Sequence, residues 1–354
     1  MAKNALLFIP DISGFTEFVH HTAINHSQHI ISELLELLLD QNNTGLELAE
    51  IEGDALFFYK LIDKPNEAEI RQQVEDMYLA FHKHLKRYEY ERICQCGACS
   101  SAYNLSLKFV VHHGEIEFIN VKDTSKPYGS SVIQVHRLLK NDIKVKEYAL
   151  LTENVSSIKE GAKTLTATYD FGNITFTYSN LDSLKLKLPE VPPIPDDVPK
   201  HKVFDQTEVI ELPILDLYEV ISNFDYRLLW TKGIDRLEYE KNKVNRAGQK
   251  HKCLINKNQE VLQTTVKKKV EKNQMVYGES TQEIPFTKRV NIYYVLEELD
   301  NGKTKINIEI FADLKPIGFI MKPFMKKNFR KVISENIKEL ILLIDSGFSL
   351  DQKN

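Results

Sequence analysis

Five prolines fall between Ser183 and Lys202, in the stretch SLKLKLPEVPPIPDDVPKHK. Each removes a backbone donor and fixes φ, so neither a helix interior nor a central strand runs through that stretch. It reads as an extended linker over 183–201 and divides the chain into residues 1–182 and 202–346. A two-domain reading also suits 354 residues, because a single core stops growing at roughly 250–300 residues. Apolar residues make up 42% of the chain, enough for two cores. The two parts differ in charge: 19 basic residues face 28 acidic ones before Lys200, and 27 face 22 from there on, giving about −9 and +5. Lysines of the basic part, such as Lys267 to Lys269, are scattered, which describes a solvated face and not a nucleic-acid footprint. The opening MAKNALLFIPDISGF holds too short an apolar run for a secretion signal. No segment reaches the roughly 20 apolar residues of a membrane span. Four cysteines in so long a chain make no disulfide framework. A cytoplasmic location is expected.

The first part alternates element types. Residues 5–9 read as a buried strand, and 24–39 as a helix with Ile30, Leu34, Leu35, Leu37 and Leu38 on one face. Strands at 46–51 and 55–59 flank the turn residues Glu52-Gly53-Asp54. A charged helix over 67–88, strands at 105–111 and 115–121, and a helix over 130–140 follow. The fold class is mixed α+β. After the linker come a strand near 202–212, helical segments over 215–230 and alternating strands at 259–270, 274–283, 289–298 and 304–311. An amphipathic helix over 316–344 closes the chain. That order predicts an antiparallel sheet around a long C-terminal helix.

Three groups of residues carry chemistry. Asp11 ends the first strand, and Gly14 after it permits a tight turn into a helix whose free amides suit a phosphate. Asp54 leaves the hairpin turn; if the two strands are neighbours, both carboxylates meet at one point, where Mg²⁺ or Mn²⁺ together with phosphate oxygens would neutralise them. Each acid also has an ordinary role, as a helix N-cap and as a turn residue. Cys94, Cys96 and Cys99 form a C-x-C-x-x-C cluster, a Zn²⁺ ligand set if His82, His84 or Cys253 supplies the fourth position, and otherwise free loop thiols. His20, His21, His26 and His29 repeat without a clean period and read as solvated helix residues.

In order, Asp11-Ile12-Ser13-Gly14-Phe15-Thr16, Gly53-Asp54-Ala55, Val110-Val111-His112-His113-Gly114-Glu115 and Tyr128-Gly129-Ser130-Ser131-Val132 resemble the motifs of class III adenylate and guanylate cyclases over residues 5–155. The resemblance implies a ferredoxin-like cyclase-homology domain, βααββαβ. It implies a metal site at Asp11, Ile12 and Asp54, and nucleoside triphosphate contacts at Phe15, Thr16 and Glu50. Glu50 stands at the purine-selecting position as in guanylate cyclases, with Lys126 at the partner position. Arg137 matches the arginine that braces the transition state, in a site shared across a two-fold homodimer. The family's Asn, four residues before that arginine, is Ile133 here, and Gln134 is the nearest substitute. Losing one such donor costs on the order of 10²-fold in rate. The resemblance therefore implies a nucleotide-binding regulatory domain with an impaired catalytic half, with a working nucleotidyl cyclase as the alternative.

Residues 204–213 (FDQTEVIELP), 217–223 (LYEVISN) and Leu229-Trp230 resemble the START-like, polyketide-cyclase-like superfamily. This implies a helix-grip domain over 202–346 that takes a small apolar ligand, lined by Tyr218, Trp230, Tyr277, Tyr293, Phe319 and Phe324. Any one of these aromatics reads more readily as an ordinary core residue, and no catalytic set is legible in this part.

Overall fold

The computed structural model describes residues 2–14, 18, 24–94, 97–156, 164–169, 172–190, 197–241, 243–255, 259–348 and 350, with the side chains of 24 and 25 left aside. The chain separates into two compact units, residues 1–89 with 97–191, and residues 192–354 with the short stretch 90–96.

The first unit is built on one large sheet. Its strands are β1 (Lys3–Ser13), β2 (Glu47–Glu52), β3 (Ala55–Leu61), β4 (Ser106–Val121), β5 (Thr124–Tyr128), β6 (Tyr148–Thr152), β7 (Thr164–Tyr169) and β8 (Gly172–Asn180). The order is β2-β3-β1-β4-β6-β8-β7, with β5 paired to β4. β1 is interior and antiparallel to both β3 and β4, while β4 and β6 run parallel. Its residues 5–9 are all buried, which fits the continuous apolar run of a strand covered on both faces. On one face Ala5, Leu7, Ile9, Val110 and Leu150 pack with Val135 and Leu138 of helix α4 (Ser130–Leu138).

Helix α1 spans Ile24–Asp40, α2 Glu67–Tyr90 and the short α3 Gly97–Ser101. In α2 the buried set Ile70, Val74, Met77, Tyr78, Phe81, Leu85 and Tyr88 follows the 3.6-residue period. Asn66 accepts from Ala68 N–H, and Glu67 and Glu69 occupy the first turn, so the positive end of the helix is capped and neutralised. Ile70 and Gln73 line a small cavity together with Leu6 and Phe8 of β1. Within this unit Glu147 is buried: it accepts from Tyr78 Oη (2.8 Å) and Leu107 N (3.2 Å), bonds His82 Nε2 (2.6 Å) and pairs with Lys185.

The structure adds α3, β5, β6 and the β7–β8 hairpin to the elements expected from the sequence, and the strands expected at 105–111 and 115–121 are one continuous strand, β4. The further helix expected directly after Gly14 would fall on 15–23, which apart from residue 18 lie outside the described residues.

The second unit contains β9 (His201–Ile210), β10 (Ile234–Glu238), β11 (Lys250–Ile255), β12 (Gln259–Val266), β13 (Gln274–Thr281), β14 (Thr287–Leu299) and β15 (Lys303–Leu314). All pairings are antiparallel, in the order β10-β11-β12-β13-β14-β15-β9. The 215–230 segment is two helices, α5 (Ile214–Ser222) and α6 (Phe224–Trp230), because Asn223 stops the first and caps the second through a 2.9 Å bond from Asp225 N–H. The closing helix α7 (Pro316–Asp345) is entered through a proline at its first turn and packs on α6, β9 and β15.

Two of the expected pocket residues are corrected here. Phe324 and Phe319 lie on α7 at 55% and 54% exposure, because the buried stripe of that helix runs instead through Gly318, Met325, Ile333, Ile337 and Leu340. Tyr218, Trp230, Tyr277 and Tyr293 are buried in the core. Tyr277 belongs to a buried polar cluster: its hydroxyl donates to Glu279 (2.6 Å) and accepts from Arg227 (3.2 Å), whose guanidinium also pairs with Glu279.

Candidate functional site

β1 alternates its side chains between the two faces of the sheet, so Asp11 continues the row Ala5, Leu7, Ile9 on the α4 side. In the antiparallel ladders Asp11 stands opposite Ala55 of β3 and Lys108 of β4. Asp54 immediately precedes Ala55, and its carbonyl accepts from Ile12 N–H at 3.0 Å. The turn that delivers it has only two residues, and Gly53 takes φ +67°, a conformation open to glycine at no steric cost. Gly14, at φ +90°, turns the chain away directly after β1.

The negative charge of Asp54 acts on Asp11. Burial raises the pKa of both; for Asp11 the charge of Lys108 opposes this and that of Asp54 adds to it. Lys108 Nζ lies 3.7 Å from Asp11 Oδ2. Two half-buried carboxylates that share the charge of one amine, Lys108, are an oxygen donor set short of positive charge, which fits Mg²⁺ or Mn²⁺.

A cleft of about 810 Å³ adjoins this point, lined among others by Ser13, Gly14, Lys108, Lys144, Lys146 and Tyr148. Asn141 Nδ2 donates to Tyr148 Oη at 2.7 Å and so fixes the phenol at the cleft wall. Among the described lining residues there are three lysines and no carboxylate, which makes this wall attractive to an anion.

The remaining expected residues fall elsewhere. Glu50 is exposed and forms a 2.8 Å ion pair with Lys126, so the two purine-position residues do meet. Neighbouring Glu52 bonds His136 of α4 at 2.8 Å. On α4, Ile133 and Arg137 are exposed and Gln134 is half-buried. Phe15, Thr16 and Cys96 lie outside the described residues.

The histidine readings change. His82 is committed to Glu147, and His84 to Glu33 at 3.0 Å. Cys253 sits on β11, its thiol bonded to Gln263 at 3.2 Å and its pKa pushed by burial up to about 12. Among the described residues, none of the three is grouped with Cys94 and Cys99. His26, expected in solvent, is buried, and its Nδ1 lies 3.5 Å from Cys99 Sγ. Sequence reading passed over Lys108 and Tyr148. The available signal for Lys108 was its place in L-K-F-V-V-H-H-G, a lone charge at an interior position of an apolar strand.

The uncharacterised protein Rv2561/Rv2562 of Mycobacterium tuberculosis is 32% identical over 185 residues, which is 49% of this chain and 80% of that protein. The chain belongs to that protein's family. A family model described only as a protein of unknown function, DUF2652, matches residues 31–148. Solved structures similar to this chain include the adenylyl cyclase CyaB from P. aeruginosa, at 14% identity and a TM-score of 0.37 over 51% of this chain and 95% of that one. The guanylate cyclase domain of RhGC from Catenaria anguillulae, solved with GTP, gives 12% identity and a TM-score of 0.35 over 50% and 97%. Among the described residues no helix is long and apolar enough to cross a membrane.

Proposed function

We propose that the first unit is a divergent nucleotidyl-cyclase-like domain that binds a nucleoside triphosphate through Mg²⁺ or Mn²⁺ and serves in signalling. The carrying observation is the pair Asp11 and Asp54, set side by side by the β1–β3 register, with raised pKa values and a lysine-lined cleft alongside. Asp11 and Asp54 hold the cation, which supplies charge neutralisation for the phosphates. Lys108, Lys144 and Lys146 face the anionic groups, and Gly14 lets the backbone approach them. Binding without turnover is the favoured reading, because Ile133 can donate nothing where a transition-state donor is needed. The Glu50–Lys126 ion pair also occupies the position from which a base would be read.

A working cyclase is the second reading. On its side stands Arg137, exposed on α4 and so accessible to the site of a two-fold partner. The second unit, a long helix against a seven-stranded antiparallel sheet, is taken as a helix-grip domain whose small apolar ligand regulates the first.

The test is incubation with ATP or GTP and Mn²⁺, analysed by mass spectrometry, beside equilibrium dialysis of the same nucleotides. Binding that needs Mn²⁺ and disappears in Asp54→Ala, with no cyclic product, is expected. Cyclic nucleotide made by the wild type and absent from Asp54→Ala establishes the second reading. Binding that is indifferent to Mn²⁺ and to both aspartates removes the proposal.

A further inference from the structure

The opening of α7 is built unlike the rest of that helix. Residues 315–331, KPIGFIMKPFMKKNFRK, hold six basic side chains and no acidic one, and the first acid of the helix is Glu335. Ile317, Ile320 and Phe324, spaced three and four apart, share one side of the helix at 53%, 79% and 55% exposure. Lys327 and Lys331 continue the same row and are exposed. The other side is the docked one: Gly318 lies so close to Phe286 O that a Cβ would collide with it, and Met325 is buried. We propose that this outward face of α7 lies on the surface of an anionic lipid bilayer.

Stability alone would not arrange the segment so. Acidic residues in a first turn offset the positive end of a helix, as Glu67 and Glu69 do in α2, and α7 has none. Asp313, the nearest acid before it in the chain, is committed to Arg289 at 3.0 Å. Lysine is depleted from protein–protein interfaces, whereas its long stem suits the headgroup layer of a membrane. Cations beside large exposed apolar side chains are the composition of a helix that lies in that layer, its apolar groups at the acyl boundary and its charges against anionic lipid. Three apolar side chains are too few to hold the protein by burial alone, so attachment depends on lipid charge as well.

Full-length protein should sediment with phosphatidylcholine vesicles containing about 30% phosphatidylglycerol and not with pure phosphatidylcholine. Raising NaCl from about 0.1 M to about 1 M should release most of it. Ile320→Ser/Phe324→Ser and Lys326→Glu/Lys327→Glu should each bind at least about tenfold more weakly. All four residues are exposed, so both variants should keep the wild-type melting temperature. The lipid and salt comparisons use unsubstituted protein and stand even if a variant fails to fold. Wild-type protein that stays in solution beside phosphatidylglycerol vesicles overturns the proposal, as does binding that ignores lipid charge or survives undiminished in both folded variants. A solution dimer that Ile320→Ser/Phe324→Ser dissociates, with no vesicle binding, also overturns it and assigns the face to a second copy of the chain.

Discussion

Burial lifts the carboxyl pKa of Asp11 and Asp54, and for Asp11 the charge of Asp54 adds to the lift against the pull of Lys108. A carboxyl whose pKa is higher folded than unfolded favours folding at low pH, and that contribution is lost as pH rises through the folded value. A bound cation cancels the loss. Mn²⁺ should therefore raise the melting temperature little near pH 4 and increasingly toward about pH 7.5, well above the ordinary carboxylate range. The double variant Asp11→Asn/Asp54→Asn should be at least as stable as the metal-free wild type and blind to Mn²⁺. An equal Mn²⁺ shift in both proteins would contradict this account.

Glu147 has the opposite sign. Burial pushes its pKa up, but hydrogen bonds from His82 and Lys185 outweigh it and hold the value at about 2. Its stabilisation is complete above the unfolded value and fades as pH falls from there toward 2. Glu147→Gln should cost roughly 2–4 kcal/mol at pH 7 in urea unfolding, with the gap from wild type narrowing at pH 3. At this scale the sequence was legible where a motif announced a residue, as with Asp11 and Asp54. It was silent on Glu147, whose partners lie 65 and 69 positions away.

Elements were more readable than their contacts. The alternation that marked the strands of the second sheet reports which residues turn inward, but not which inward residues are charged partners of one another. Arg227 on α6 and Glu279 on β13 are both almost fully buried and paired, with Tyr277 between them and His251 Nε2 3.5 Å from Glu279. Aromatics that read as the lining of an apolar pocket thus include the wall of a buried ion pair. Arg227→Met should cost about 3–5 kcal/mol, since it strands a buried carboxylate, and a further Glu279→Gln should recover part of it. Additive losses in that double-mutant cycle would argue against the coupling.

Gly278, opposite Tyr293 on β14, carries a second constraint. A Cβ there would lie 2.6 Å from the Tyr293 ring and 2.8 Å from Val266 O. Gly278→Ala should lose about 1–3 kcal/mol, because a backbone carbonyl cannot step aside as a flexible side chain can. The β7–β8 hairpin escaped sequence reading for a related reason. Its residues 164–169 are mostly exposed, so burial imposed no clean two-residue pattern on them.

At the scale of the whole chain, the proline cluster and the change of element order are what led to an expected division at 183–201, whereas the two compact units are residues 1–89 with 97–191 and residues 192–354 with 90–96. Which parts of each unit touch was beyond what periodicity records, because periodicity is a local signal. Two compact units, each with its own core, should give two transitions in calorimetry. Nucleotide with Mn²⁺ at about 100 times its dissociation constant should add ~2.7 kcal/mol to one unit only, shifting one transition and leaving the other in place. A shift of both together would mean that the units unfold as one, and none at all would leave the cleft without its ligand.

The two-residue turn at Gly53 and Asp54 has a bearing on how this fold can diverge. Strand side chains alternate, so one residue inserted between Glu52 and Ala55 would leave both ladders paired while carrying the second carboxylate away from the first. If the proposed cation is held there, a chain with a longer turn would keep the architecture and lose the ion, so the length of this corner is a sharper test of the proposal than overall likeness of fold.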